Sequence, residues 1–427
     1  MNKILLLGCV ALPWMTLTSC QSYKADPVNW EKESHAWQNS SRNNVQSSLS
    51  LAQAQQIGLM LSPELNTARI KYQGAIKEAE AAGYWQDPSI AFEFNQLFSN
   101  VPGSQMTKLG PSFTIPLTGL PRLEKKIANL YKEQDYWTVK ELEMKFLCEL
   151  EQAWLQWTVC QEKIKRSEQR ANELFNKDAK FQRLMEYGEI SLPEMQESAS
   201  FYNEVYRTVS DLKNEASQQK FAILKMMGIS PDLANQINLK PASLGGASLL
   251  TLSQSAIVQA PQLKTQLAKF DISEKQFLAE IKKQYPDLGL YAAIEKEGSN
   301  YRFSPTVDLT SIPLWNRNRA GVAAGETNRN VTRAETINLW KNLSNQLANN
   351  IASQRIIVDL IDRDSKQLVS DQKAADTLKK MYALGEAKLL DLSEASQRYY
   401  ETKMSLLEQQ YRLSVLKSSL KYLYFNQ

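Results

Sequence analysis

Ile90-Ala91-Phe92-Glu93-Phe94-Asn95 alternates strictly between apolar and non-apolar positions. In an extended chain Ile90, Phe92 and Phe94 share one face, and Ala91, Glu93 and Asn95 share the other; this is the period of two that predicts a strand. A loop containing Pro102-Gly103 follows, and then a second alternating run places Phe113 and Ile115 opposite Ser112 and Thr114. The same arrangement returns near residue 300. There Val307 and Leu309 alternate with Thr306, Asp308 and Thr310, next to the turn composition Gly298-Ser299-Asn300. Strands of roughly nine to eleven residues with one apolar face have the length needed to cross a bilayer at a tilt.

The landmarks around these strands also come in pairs. Ser62-Pro63-Glu64-Leu65 is echoed by Ala260-Pro261-Gln262-Leu263, and Asp87-Pro88 by Tyr285-Pro286. Ile115-Pro116-Leu117 returns as Ile312-Pro313-Leu314, Arg122 as Arg319, and Tyr187-Gly188-Glu189 as Leu384-Gly385-Glu386. Five matches in order, at a nearly constant offset of roughly 198 positions, predict a duplicated unit. The expected division is a first repeat over 51–245 and a second over 246–427. Each copy predicts a helical stretch (about Leu51–Tyr84 and Leu252–Lys283), then a hairpin, then very long helices. Arg122 to Tyr187 contains neither Gly nor Pro and would span roughly 100 Å as one helix. Glu326 to Leu384 and Glu386 to Gln427 are equally free of both. In the last of these Leu392, Tyr399, Leu406, Leu413 and Leu420 recur every seventh position, with Leu416 and Leu423 on a second stripe, which predicts a coiled-coil seam. Helices of this length build a rod or a tube, not a compact core. An open four-stranded sheet would leave unpaired edges in hydrocarbon, and the smallest closed barrels use about eight strands. Inserted strands therefore require several chains; three copies would supply twelve.

Composition agrees with a folded, mainly helical protein. The chain has 427 residues, 43% of them hydrophobic, with only 16 Gly and 15 Pro. Fifty basic and 46 acidic residues are well mixed, which argues against a nucleic-acid partner. No apolar run after Cys20 is long enough for a transmembrane helix. His35 is the single histidine, and no nucleophile–base pair, phosphate loop or metal-spaced cluster is present, so neither catalysis nor a cofactor nor a metal site is expected. Residues 1–19 read as a signal segment, with Lys3 followed by the apolar run Ile4 to Leu12. Leu17-Thr18-Ser19-Cys20 resembles a bacterial lipobox. That resemblance implies cleavage before Cys20, acylation of Cys20, and a lipidated segment over 20–50. Gln21 follows the cysteine; the Asp that favours inner-membrane retention is absent, which implies outer-membrane sorting. Cys148 and Cys160 lie too far apart along one helix to bridge and read as buried small hydrophobes.

From about Leu51 onward the chain resembles TolC-like outer-membrane efflux proteins. The likeness is carried by Ser62 to Leu65, Asp87-Pro88, Ile115 to Leu117, and above all Ile312-Pro313-Leu314-Trp315-Asn316-Arg317-Asn318-Arg319. The last run is reminiscent of lipidated members that serve resistance-nodulation-division pumps. The resemblance implies a mainly α fold with a small membrane β-barrel: a homotrimer whose twelve strands close one barrel, continued by a coiled-coil α-barrel. It also implies a passive exit duct in the outer membrane, held in its lipid and docked to a periplasmic adaptor and an inner-membrane pump. In such proteins the turn of the second repeat carries a Tyr, a Gly three residues on, and acids lining a closed mouth. The matching residues here are Tyr382, Gly385, Asp391 and Glu394, with Glu194 and Glu197 at the equivalent places of the first repeat. No Arg follows Gly385; Glu386, Ala387 and Lys388 stand there instead, which puts a basic latch in doubt. Gly188, Glu189, Gly385 and Glu386 are the corresponding adaptor-docking tips. The plainer readings are that these glycines simply end helices and that the acids favour a helix start. A non-conducting lipoprotein tether between membranes is the competing function, and matched amphipathic strands argue against it, since a tether needs none.

Overall fold

The computed structural model describes residues 23–96, 105–188, 191–246, 248–250, 252–297, 299–310 and 315–424. An N-terminal helix α1 (Trp30–Asn44) and a two-residue strand β1 (Ser48–Leu49) precede α2 (Leu51–Leu61) and α3 (Pro63–Ala81). The hairpin strands β2 (Ser89–Gln96) and β3 (Gln105–Ile115) lead into α4 (Leu120–Glu186) and α5 (Leu192–Met226). A 3₁₀ turn at Pro231–Leu233 and strand β4 (Asn238–Leu239) close this half. The order then repeats: α6 (Ser255–Gln259), α7 (Pro261–Lys282), β5 (Asp287–Glu297), β6 (Asn300–Thr310), α8 (Arg319–Ala383) and α9 (Leu389–Tyr424).

Each predicted short helical stretch is in fact two helices, broken at the same place in both halves. Ser62 (ψ 123°) and Ala260 (ψ 127°) are extended. A proline disfavours the α conformation in the residue before it, and its fixed φ suits the first position of the next helix. Pro63 and Pro261 do both. The long helices run as expected: α4 has 67 residues and α8 has 65, each roughly 100 Å. Pro121 is accepted in α4 because the first turn needs no N–H from it.

Within each half the shorter helices lie along a long one. Arg69 on α3 pairs with Glu143 on α4 at 2.7 Å, and Lys213 on α5 with Glu168 further along α4 at 2.7 Å. In the second half Arg329 on α8 approaches Glu274 on α7 at 3.9 Å, and Thr402 on α9 donates to Asp371 on α8 at 2.7 Å. α4 also packs against α7 and α9, which joins the halves. The predicted seam of α9 holds: Leu392, Leu413 and Leu420 are buried and Tyr399 and Leu406 half-buried, though buried Ala395, Leu407, Ser414 and Ser418 widen it beyond a single stripe.

Two apolar cores sit midway along the long helices. The first gathers Leu49, Leu65, Leu150, Trp154, Ile223 and Met227; the second gathers Ile257, Leu263, Leu343, Leu347, Leu420 and Tyr424. Each such fully buried side chain contributes about 1.5–3 kcal/mol. Cys148 and Cys160 are buried free thiols, and burial pushes Cys160 up to about 11. The backbone crossing between halves is held by side chains from inside the long helices. Trp154 Nε1 donates to Lys240 O at 2.9 Å, and Gln354 Oε1 accepts from Leu250 N at 3.0 Å. His35 is exposed on α1. No helix among the described residues is long and apolar enough to cross a membrane.

Candidate functional site

The four hairpin strands form one antiparallel sheet in the order β2-β3-β5-β6. Its register sorts side chains by polarity. Phe92 faces Leu109, Leu109 faces Ile294 and Ile294 faces Phe303, so one apolar row runs straight across all four strands. Ile90, Phe94, Phe113, Val307 and Leu309 share that face, and with this row they are about half to three-quarters exposed. On the other face Glu93 stands opposite Lys108, Lys108 opposite Glu295, and Glu295 opposite Arg302, a cross-strand series of alternating charge. Lys108 and Glu295 close to 3.3 Å. A sheet that exposes a continuous apolar face while Lys108 is half-buried and Glu295 buried on the other departs from the pattern of a water-soluble protein. Gly110 is required where β3 meets β5, since a Cβ there would run into the Ala292 carbonyl oxygen. The outer edges of β2 and β6 have no strand partner among the described residues.

Aromatic residues bracket the sheet. Trp85, Tyr285 and Trp315 are exposed at the end nearest the helices, and Tyr301 is exposed at the start of β6, beside the β5–β6 turn. Trp154 and Trp157, by contrast, are core residues. Ile312-Pro313-Leu314 and Pro102-Gly103 lie outside the described residues, as does Cys20.

At the far end of the helices the chain reverses twice. α8 ends in a left-handed glycine cap: Gly385 has φ +75°, its N–H reaches Tyr382 O at 3.1 Å, and Glu386 N–H reaches back to Met381 O at 2.9 Å. These paired bonds satisfy carbonyls that the helix end would otherwise leave bare. Gly188 repeats the cap after α4, with φ +75° and its N–H on Met185 O at 3.0 Å. Leu384 and Tyr187 are both strongly exposed at these turns. Tyr382 is half-buried, Glu386 and Glu394 are exposed, and Asp391 is exposed but engaged. Its Oδ2 accepts from Lys388 N at 3.3 Å, the reciprocal half of a capping box that starts α9. The hairpin thus brings Tyr382, Gly385, Asp391 and Glu394 to one tip, and Asp391 has a structural duty there besides its charge. Glu189 lies outside the described residues, and of Glu194 and Glu197 only their place on the first turns of α5 is described.

One group near the tips escaped the sequence reading. Arg170, on α4, is only 5% exposed, and Ser167 one turn before it is fully buried. Nothing in the sequence distinguishes them, because charged and hydroxyl residues occur throughout a long amphipathic helix. Among the described residues no group of three or more potential metal ligands forms.

Searched by sequence, the chain matches no protein-family model and no curated protein. Its three-dimensional likeness is nevertheless extensive. The Campylobacter jejuni CmeC outer membrane channel superposes with a TM-score of 0.75 at 13% identity, over 95% of this chain and 93% of that one. The Vibrio cholerae outer membrane protein VceC gives 0.76 at 14%, over 88% and 95%. The open state of the Neisseria gonorrhoeae MtrE outer membrane channel gives 0.71 at 14%, over 87% and 88%. The chain therefore has the TolC-like fold of these outer-membrane channels, strands and long helices together.

Proposed function

We propose that this protein is one subunit of a trimeric outer-membrane duct, the passive exit of a tripartite efflux system. The observation that carries the reading is the sheet. Four strands with an apolar face outward, charges on the opposite face and two free edges are unsuited to water and incomplete in lipid. Three copies close them into twelve strands, with the apolar rows toward lipid and the Glu93–Lys108–Glu295–Arg302 series toward a wet lumen. Trp85, Tyr285 and Trp315 then lie at one membrane interface and Tyr301 at the other. The long helices carry the lumen onward into the periplasm. That the proteins sharing this fold are described as outer-membrane channels supports the assignment.

The remaining parts follow from the same reading. Residues 1–19 direct export, acylated Cys20 anchors the segment 20–50 in outer-membrane lipid, and the repeats 51–245 and 246–427 each supply one hairpin and one pair of tip helices. The turns at Gly188-Glu189 and Gly385-Glu386 meet a periplasmic adaptor and, with it, an inner-membrane pump. Tyr382, Asp391 and Glu394 line the closed mouth, where three copies of each acid concentrate negative charge and favour cations.

Single-channel recording in planar bilayers tests both levels. The purified wild-type protein should conduct, with divalent cations blocking from the periplasmic side. Asp391→Asn is the informative variant, because its side-chain oxygen still accepts from Lys388 N–H while the charge is gone. The half-blocking concentration should rise about tenfold, the equivalent of ~1.4 kcal/mol of lost attraction. Unaltered blockade removes Asp391 from the mouth; a trimer that never conducts, with Asp391 and Glu394 both neutralised, overturns the duct.

A further inference from the structure

Between α4, α8 and α9, short of the second tip, lies a cleft of about 420 Å³. Its floor is Arg170. The guanidinium is almost wholly buried, and its Nε has no hydrogen-bond partner among the described residues. The nearest carboxylate, Glu173, stays 3.8 Å from Nη1 and is itself largely exposed, too far for a hydrogen bond and free to swing into water. Burial pulls the Arg170 guanidinium below the usual arginine range, with Glu173 opposing, yet an arginine remains charged at any physiological pH. A buried cation whose one close carboxylate is solvent-exposed and whose Nε has no partner among the described residues is costly to keep, and a bound anion with several oxygens lowers that cost.

The rest of the cleft is also built for an anion. Arg166, Lys379 and Lys403 line it together with Glu173 and Asp376, and Glu162 lies 3.8 Å from Arg166 Nε. Arg166 Nη1 donates to Lys403 O at 2.8 Å, which fixes its fork against α9. Ser167 Oγ and Tyr400 Oη, 2.8 Å apart, join α4 to α9 beside Arg170. We propose that this cleft, centred on buried Arg170 and flanked by Arg166, Lys379 and Lys403, binds a small soluble phosphate-class oxyanion. Arginine forks match tetrahedral oxyanions in geometry as well as charge. A lipid headgroup held at the sheet is too distant, since Arg170 lies fifty residues into α4 from Leu120, roughly 75 Å along its axis.

The ligand would touch α4 of the first repeat and both helices of the second, so it would tie the Tyr382–Asp391 hairpin to α4. Its binding does not depend on conduction; its effect on conduction rests on the duct reading above.

The test uses the full-length protein in detergent and inorganic phosphate as the probe, with sodium chloride matched in ionic strength as control. Isothermal titration calorimetry should give saturable phosphate binding, and chloride should give none. Arg170→Gln should weaken binding about tenfold or more. Should Arg170→Gln misfold, the double variant Lys379→Gln/Lys403→Gln serves instead, since Lys379 is exposed and Lys403 half-exposed, and it should weaken binding severalfold. Phosphate binding equal in wild type and in whichever of these variants folds, or no binding beyond the chloride control, overturns the site. Phosphatidic-acid vesicles competing as well as free phosphate would overturn the soluble-ligand assignment. In bilayers, phosphate added on the periplasmic side should lower opening in wild type and not in Arg170→Gln. If binding is lost in the variant while conduction never responds to phosphate, the site stands and its coupling to the duct falls.

Discussion

Gly385 and Gly188 hold the same φ, +75°, at the two reversals of the chain. A Cβ at either position would meet nothing within 4 Å, so side-chain crowding is not what calls for glycine there. The requirement is the backbone: an L-residue with a Cβ pays about 1 kcal/mol to sit in the left-handed region. Gly385→Ala should therefore loosen the second tip without touching either core. Hydrogen exchange of the amides from Glu386 to Leu392 should quicken by about fivefold, while those around Trp154 and Leu420 keep their protection. Equal exchange at the tip would mean that the turn tolerates a Cβ and that its shape is set elsewhere. Asp391 carries two loads at this scale, a charge and a helix cap. The sequence offers both the charge and a place at a helix start; the capping bond itself is not legible there, because it depends on where α9 begins, and element boundaries are the least certain part of any sequence pattern.

At the scale of elements, the strands were legible because their two faces differ so sharply. Phe92 and Glu93 are neighbours in the chain and belong to opposite environments. Phe92→Lys would set a charge among Leu109, Ile294 and Phe303, at a cost of about 2–4 kcal/mol if that row faces hydrocarbon. Glu93→Lys changes more charge but leaves it beside polar neighbours. Membrane fractionation should show Phe92→Lys strongly depleted from the outer membrane and Glu93→Lys near the wild-type level. Equal recovery of the two would refute a lipid-facing row. The long helices were legible too, as stretches free of Gly and Pro. The break before Pro63 and Pro261 was not, although both prolines belong to the repeated landmarks. A proline reads equally well as a first-turn residue of one helix or as the end of another, and only the extended backbone of Ser62 and Ala260 decides. Arg170 was illegible for a different reason. Burial of a single cation in a three-helix seam depends on how α4, α8 and α9 rotate about their axes, and no local pattern records that.

At the scale of the whole molecule, the trimer proposed above has surface to account for. Besides the outer edges of β2 and β6, which have no strand partner among the described residues, α8 leaves Val331, Ile337, Trp340, Ile356 and Val369 exposed along its length. In that trimer, further copies of the chain would cover them. Native mass spectrometry of the detergent-solubilised protein should therefore give a mass of three chains, and a stable single chain would refute the trimer. The N-terminal segment adds a property of another kind. Trp37 Nε1 donates to Gly228 O at 2.6 Å, Ser230 N to Ser41 Oγ at 3.1 Å, and Lys240 N to Leu49 O at 2.8 Å. These bonds clasp α1 and β1 to the stretch that links the two halves, and Trp154 carries the clasp on to the middle of α4. A pull applied ahead of Trp30 is thus delivered to the waist of the molecule, halfway between sheet and tips. If the segment ahead of Trp30 is anchored as proposed above, tension on it enters at the clasp and at Trp154 in the middle of α4, away from the turns at Gly188 and Gly385.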